Sequence, residues 1–240
     1  MGKEQDAPTL SGILFDFNGT LFFDTYMHTE VFRRNIFKHF GKPLPDGDFN
    51  DYMVKNLLGR NSEAILKSFF KPDATEEECR EFTVMKDNFY FEECLANPER
   101  MKLAPYAEEL LDYIKKTDIP YCMATGSGKR EVDFFIEHLR LDRWFSYDNI
   151  VYTDGTFNGK PFPDCYRLAA KRLSLTPESC IVFEDGTPGI KAANAANAGA
   201  VIVVHDSSLP SPLSQDLRVD GVYHDFSKWE SILKKYNLAR

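Results

Sequence analysis

Asp16 closes the apolar stretch that opens "ILFDFNGTLFF" (residues 13 to 23), and Gly19 and Thr20 turn the chain just after it. A carboxylate released from a buried strand into a turn is placed to meet a phosphate. Other reactive groups end similar runs. Thr125 closes "IPYCMAT", Glu184 and Asp185 close "SCIVFED", and Lys160 stands in a loop before "PDCYRLAAKRL". Phosphoryl transfer to a carboxylate needs a nucleophile, cationic and hydrogen-bonding groups for the phosphoryl oxygens, and a hard cation held by oxygen ligands. Asp16 suits the first role, and Thr125, Lys160 and the amides near Gly126 the second. Asp16, Glu184 and Asp185 suit the third, with Mg²⁺ as the expected ion. Asn18 is the exception. An amide two residues after Asp16 can neither give nor take a proton near neutral pH.

For these residues to meet, the runs that carry them must lie side by side and point the same way. "GILFDF" reads as a short buried strand. From about residue 25 to residue 98 no convincing strand appears. "TEVFRRNIFKHFG" places Val31, Phe32, Ile36, Phe37 and Phe40 on one helical face, with Gly41 as the stop. "NSEAILKSFF" has Asn61 or Ser62 as a cap, and "TEEECREFTVMKDNFYFEE" opens with a capping box of Thr75 and Glu78.

After Pro98 the pattern alternates. Helical "YAEELLDYIKK", "REVDFFIEHLRL", "PDCYRLAAKRL" and "PGIKAANAANAG" are followed by the strands "IPYCMAT", "NIVYT", "SCIVFED" and "AVIVV". Alternation at this spacing predicts right-handed crossovers and a parallel sheet covered on both faces. Ligands bind such sheets at the carboxyl ends of the strands. The expected fold is α/β: a Rossmann-like core of residues 1–23 and 99–240, interrupted by an all-helical cap of residues 24–98. In the last helix Thr187 is the expected cap, Pro188 suits the first turn and Gly199 is the expected stop.

The chain has 240 residues, 29 Lys and Arg against 37 Asp and Glu, and a net charge of −8. That balance argues against nucleic acid or an anionic membrane as a partner and leaves room for a local basic pocket. A small phosphorylated substrate is the expected partner; oligomeric state is open, and a monomer is compatible with the composition. Five scattered cysteines form no C-x-x-C and no zinc pattern, which suits free thiols in a reducing cytoplasm. "MGKEQDAPTL" has no apolar signal core, and Asp6 stands where a myristoylation motif at Gly2 wants Ser or Thr.

Four stretches in order carry a family resemblance: "DFNGTL", "MATGS", "GKPFPDCY" and "FEDGTPGIKAANAANAG". Together they resemble the haloacid dehalogenase superfamily. The helical insert after the first motif resembles the β-phosphoglucomutase and phosphoglycolate phosphatase branch. The resemblance implies an aspartyl-phosphate on Asp16 and Mg²⁺ held by Asp16, Asp185 and the main-chain carbonyl of Asn18, with Glu184 beside them. It implies catalytic roles for Thr125 and Lys160. It also places two cap residues near the substrate: His28, twelve after Asp16, and Arg60 in "LLGRNSEAIL". Dehalogenation itself fits less well, because relatives that perform it lack the Glu184–Asp185 pair.

In the resembled phosphatases and mutases position 18 is an Asp that protonates the leaving oxygen and later activates water. Such help is typically worth about 10²–10⁴-fold. Four accounts of Asn18 follow. The substrate has a good leaving group or the acid comes from elsewhere, with His28 a candidate. The chemistry is phosphonatase-like, with Lys55 the nearest candidate for a Schiff base. The protein binds a phosphometabolite with little turnover. Or the residue was introduced to trap a complex.

Overall fold

Strands form at β1 (Gly12–Phe15), β2 (Tyr121–Gly128), β3 (Ile150–Thr153), β4 (Cys180–Glu184), β5 (Ala200–Val204) and β6 (Gly221–Tyr223) in the computed structural model, which describes residues 9–209 and 216–239. Gly2 and Asp6 lie outside the described residues, as do the outer ends of the expected core segments. The strands make one parallel sheet in the order β3-β2-β1-β4-β5-β6. The chain builds outward from β1 to β3, then returns to start again at β4 on the other side of β1. The crevice at that reversal is where open α/β sheets bind ligands. The register sets Phe15 beside Met123 and Phe183. Asp16 therefore leaves β1 level with the end of β4, and its N–H donates to the Phe183 carbonyl at 2.9 Å.

The strands read as unbroken apolar runs because both faces are buried. Ile13, Phe15, Ile181 and Phe183 pack on one face with α6 (Ala107–Lys116), α7 (Lys129–His138) and α10 (Trp229–Lys235). Leu14, Cys122, Val182 and Val201 pack on the other with α8 (Asp164–Arg172) and α9 (Thr187–Ala195). The Ala-rich sequence of α9 lets it sit close to the sheet through Ala192, Ala193 and Ala196.

Between β1 and α6 the described chain contains no strand of the sheet. It runs through α1 (Thr25–Val31), a π-helical turn at Phe32–Ile36, α2 (Phe37–His39), α3 (Phe49–Asn56), α4 (Ser62–Ile65), a second π-helical turn at Leu66–Phe70, and α5 (Glu76–Ala96). Phe40 and Phe70 meet at a tilt with centroids 4.8 Å apart and Phe37 meets Phe70 edge-on at 5.3 Å, an aromatic group continuous with the core on that face of the sheet. The Thr75–Glu78 capping box opens α5 as expected, and Asn61 caps α4 by accepting from the Ala64 N–H. Lys86 of α5 joins this helical segment to α7, lying 3.0 Å from Asp87 and 3.5 Å from Glu131.

Several elements depart from the sequence reading. Helices α3 and α10 and the edge strand β6 form in addition to those expected. In α9 the position before the helix is Gly186, and Thr187 is its first residue. The helix ends at Ala195 and Asn197 turns the chain with φ 59°, ahead of Gly199. All five cysteines are free and buried. Among the described residues no helix is long and apolar enough to cross a membrane.

Candidate active site

Lys160 is the hub of the cluster at the carboxyl ends of β1 and β4. Its ammonium donates to Asp16 Oδ1 at 2.5 Å and to Glu184 Oε1 at 2.6 Å. The second Asp16 oxygen accepts from the Thr20 hydroxyl at 2.8 Å, so Thr20 orients the carboxylate from the turn that follows it. Glu184 is fully engaged. Its Oε1 also accepts from the Tyr166 hydroxyl at 2.6 Å, and its Oε2 accepts from the N–H groups of Asp185 and Gly186 at 3.0 and 3.2 Å. Asp16, Glu184 and Asp185 bring one carboxylate oxygen each within 4.8 Å of one another.

One ammonium does not balance two buried acids and a half-buried third. Burial, and then the Glu184 charge, push the Asp16 carboxyl up to about 7 against the pull of Lys160 and Thr20. Asp185 is raised well above the carboxylate range by burial and by Asp16 and Glu184. Burial works against the Lys160 charge, but Asp16 and Glu184 outweigh it and hold the ammonium above its ordinary range. A compact set of hard oxygen donors with surplus negative charge fits a divalent cation such as Mg²⁺.

Asn18 sits at the other side of Asp16, and its amide has a direction. The Oδ1 accepts from the Ser127 hydroxyl at 2.9 Å and from the Thr125 hydroxyl at 3.4 Å. The Nδ2 donates to Asp24 Oδ2 at 2.6 Å. A carboxylate has no donor for that second contact and would face Asp24 as a like charge. Asp24 gathers more than Asn18. Its Oδ1 accepts from the Gly19 N–H at 3.0 Å, and its Oδ2 also accepts from the Tyr90 hydroxyl at 2.6 Å and lies 3.1 Å from His28 Nε2. Burial alone would raise Asp24. The His28 charge and the hydrogen bonds from His28, Tyr90 and Asn18 overcome it and hold the acid below its ordinary range.

Two glycines make room for this arrangement. A Cβ on Gly19, which has φ +82°, would stand 2.1 Å from Asp185 Oδ2. A Cβ on Gly189, in the first turns of α9, would stand 1.6 Å from Glu184 Oε1. Gly189→Ala is therefore expected to displace the Glu184 carboxylate from Lys160. Overpacking of this kind costs roughly 1–3 kcal/mol, and a thermal melt of the variant measures it.

The sequence-predicted residues fall into two groups. Asp16, Lys160, Glu184 and Asp185 converge directly, and Asn18, two residues after Asp16, accepts from Thr125. Gly126 lies exposed between Thr125 and Ser127 on the last part of β2. His28 reaches the cluster through Asp24. Arg60 does not join it: its guanidinium lies 5.8 Å over the Phe69 ring, although neighbouring Gly59 packs against Pro188 at the start of α9. Lys55 is 68 % exposed and paired with Asp51 at 2.7 Å. Thr20, Asp24, Tyr90, Ser127 and Tyr166 were not singled out by sequence. Ser127 had a signal, since it shares the "TGS" turn with Thr125. Tyr90 had none, because it is 66 residues from its partner Asp24.

Residues 10–197 match a family model described as haloacid dehalogenase-like hydrolase. A phosphorylated carbohydrates phosphatase of Thermotoga maritima is 27% identical over 197 residues, covering 82% of this chain and 86% of that one. The crystal structure of a HAD hydrolase, family IA, variant 3, from Entamoeba histolytica superposes with a TM-score of 0.82 at 32% identity, over 96% of this chain and 99% of that one. A β-phosphoglucomutase from Clostridium difficile shares the fold, with a TM-score of 0.73 at 23% identity over 95% of this chain and 98% of that one.

Proposed function

The chain belongs to the haloacid dehalogenase-like hydrolase family, and we propose that it hydrolyses the phosphate ester of a small metabolite with Asp16 as nucleophile and Mg²⁺ as cofactor. One observation carries this reading. A buried carboxylate at the end of the central strand lies 2.5 Å from a nearly buried ammonium and within 4.8 Å of two further acids. The name of the Thermotoga relative makes phosphorylated carbohydrates the first substrate class to try.

In this reading Asp16 attacks phosphorus, the ester oxygen leaves, and water then cleaves the aspartyl-phosphate. Lys160 and the Thr125 hydroxyl hold the phosphoryl oxygens, with the Gly126 main chain beside them. Asp16, Asp185 and the Asn18 carbonyl are the groups to hold Mg²⁺. Bound there, the ion supplies screening between the anionic substrate and Asp16. Both Glu184 oxygens already accept two hydrogen bonds, so its part is to fix Lys160 and to add charge near the ion. Residues 24–98 act as a cap over the strand ends, with His28 and Arg60 on its substrate side. A phosphonatase-like reaction through Lys55 is poorly supported, because a Schiff-base lysine is activated by a desolvated pocket and Lys55 is exposed and ion-paired.

The test is a panel of sugar phosphates, glycerol phosphate, acetyl phosphate and phosphonoacetaldehyde with Mg²⁺, read as released phosphate. Turnover on at least one ester is expected. Saturable binding of esters with no phosphate released from any of them would instead support a phosphometabolite-binding protein.

A further inference from the structure

Asn18 leaves the phosphatase reading without its usual proton donor, and the side chains around it offer another. Asp24 Oδ2 accepts from Asn18 Nδ2 and lies beside His28 Nε2, so the amide and the imidazole meet on one oxygen atom. The His28 ring lies nearly parallel to Tyr90, with centroids 4.3 Å apart and planes 12° apart, and Tyr90 donates to the same Asp24 oxygen. Asp24 is 1 % exposed and His28 18 % by side chain, so the carboxylate is sealed and the imidazole is partly open.

We propose that His28, held by Asp24 and stacked on Tyr90, is the proton donor and acceptor that Asn18 cannot be. The inference rests on the phosphatase reading and assigns its missing catalytic residue. Asp24 is an acceptor only, so Nε2 of His28 carries the proton that faces it. Nδ1 is then the nitrogen that exchanges protons, as in other carboxylate-oriented histidines. In the first step a bond forms between Asp16 and phosphorus, the bond from phosphorus to the ester oxygen breaks, and the proton on Nδ1 passes to that oxygen. In the second step Nδ1 takes a proton from water as the water oxygen bonds to phosphorus. The bond from phosphorus to Asp16 then breaks, inorganic phosphate leaves and His28 is again protonated. A neutral Asn18 is what this arrangement requires, because its N–H steadies Asp24 while its Oδ1 steadies Ser127 and Thr125.

The experiment compares an alkyl phosphate, whose leaving oxygen needs a proton, with acetyl phosphate, whose leaving acetate does not. His28→Gln is expected to slow the first step, read as release of the leaving group in a single turnover, by roughly 10²-fold on glycerol phosphate or a sugar phosphate and by less than about 3-fold on acetyl phosphate. Asp24→Asn is expected to show the same asymmetry, through the wrong tautomer. Equal losses on both substrates in that first step, or no loss on either, would overturn the proposal. Should neither variant fold, the unaltered protein decides. With an acid in place alkyl and acetyl phosphates turn over at comparable rates, whereas a gap of about 10³-fold or more leaves His28 no role. Asp16→Ala separates the two levels. Loss of both activities in Asp16→Ala with symmetric losses in His28→Gln sinks only the proton donor. Acetyl phosphate turnover that survives Asp16→Ala sinks the phosphatase reading beneath it.

Discussion

Asp16→Ala is expected to lower turnover of every phosphate substrate by at least about 10⁴-fold while the chain stays folded. The size follows from the lack of a substitute. Glu184 has both oxygens committed to Lys160, Tyr166 and two main-chain N–H groups. Asp185 follows β4, one residue beyond the strand whose register pairs with β1, and does not hold the position Asp16 takes at the end of the central strand. The fold should survive because Asp16 is electrostatically costly when no cation is bound. Its removal relieves the crowding that raises Asp185, and Lys160 keeps Glu184 as a partner. Asp16→Asn, which keeps the shape and loses the nucleophile, is expected to match the alanine variant within a few fold. Circular dichroism and phosphate release from the same preparations check both halves. Residual activity above about 1% in either variant would assign the nucleophile elsewhere.

The place of Asp16 was legible in sequence because it is set locally. A buried strand followed by a Gly-Thr turn states where the carboxylate emerges, and two further strand ends with the Lys160 loop state what meets it. The parallel sheet was legible for a similar reason: Leu14 faces one layer and Ile13 and Phe15 the other, so β1 could only be an apolar run with both sides covered. What escaped was marginal or distant. Strand β6 has three residues and a half-exposed Gly-Val-Tyr pattern that does not separate it from a loop. Helix α3 buries only Phe49 and Met53, too few to show a helical period. Asp24 carries no signal in the sequence, and its meaning comes from Gly19, Asn18, His28 and Tyr90 arriving together. Sequence reads Asn18 as a lost acid. The structure adds that the amide has work of its own, donating to one anion and accepting from two hydroxyls, which a carboxylate could not do.

Removal of the divalent cation is expected to abolish turnover and, in addition, to destabilise the protein more at pH 8 than at pH 5. The sign follows from the acids at the site. Asp16 is raised from 3.8 to about 7 and Asp185 is raised further, so the folded protein holds these protons more tightly than the unfolded chain does. Between pH 4 and about 7 the unfolded chain releases them and the folded one keeps them, so stability without a cation falls as pH rises through that window. A bound cation replaces the protons and removes the cost. At pH 5 it must displace protons to bind, and at pH 8 much less so. Burial also raises Asp87 on α5, with the same sign, and its effect cancels when melts with and without Mg²⁺ are subtracted at each pH. Asp24 is held below its ordinary range, so its contribution is lost only on acidification below about 4. Lys160 is raised above 10.5 and contributes fully at both pH values. Burial lowers His205, which therefore favours folding more as pH rises through 6.5, opposite in sign. It lies beyond β5 and cancels when melts with Mg²⁺ and with EDTA are subtracted at each pH. With Mg²⁺ at 100 times its dissociation constant the linkage is worth about 2.7 kcal/mol, or roughly 5–10 °C in Tm for a chain of this size. That shift is expected at pH 8, to shrink at pH 5, and to vanish in Asp185→Asn. A shift equal at both pH values, or one that persists in Asp185→Asn, would place the cation away from the Asp16–Asp185 pair.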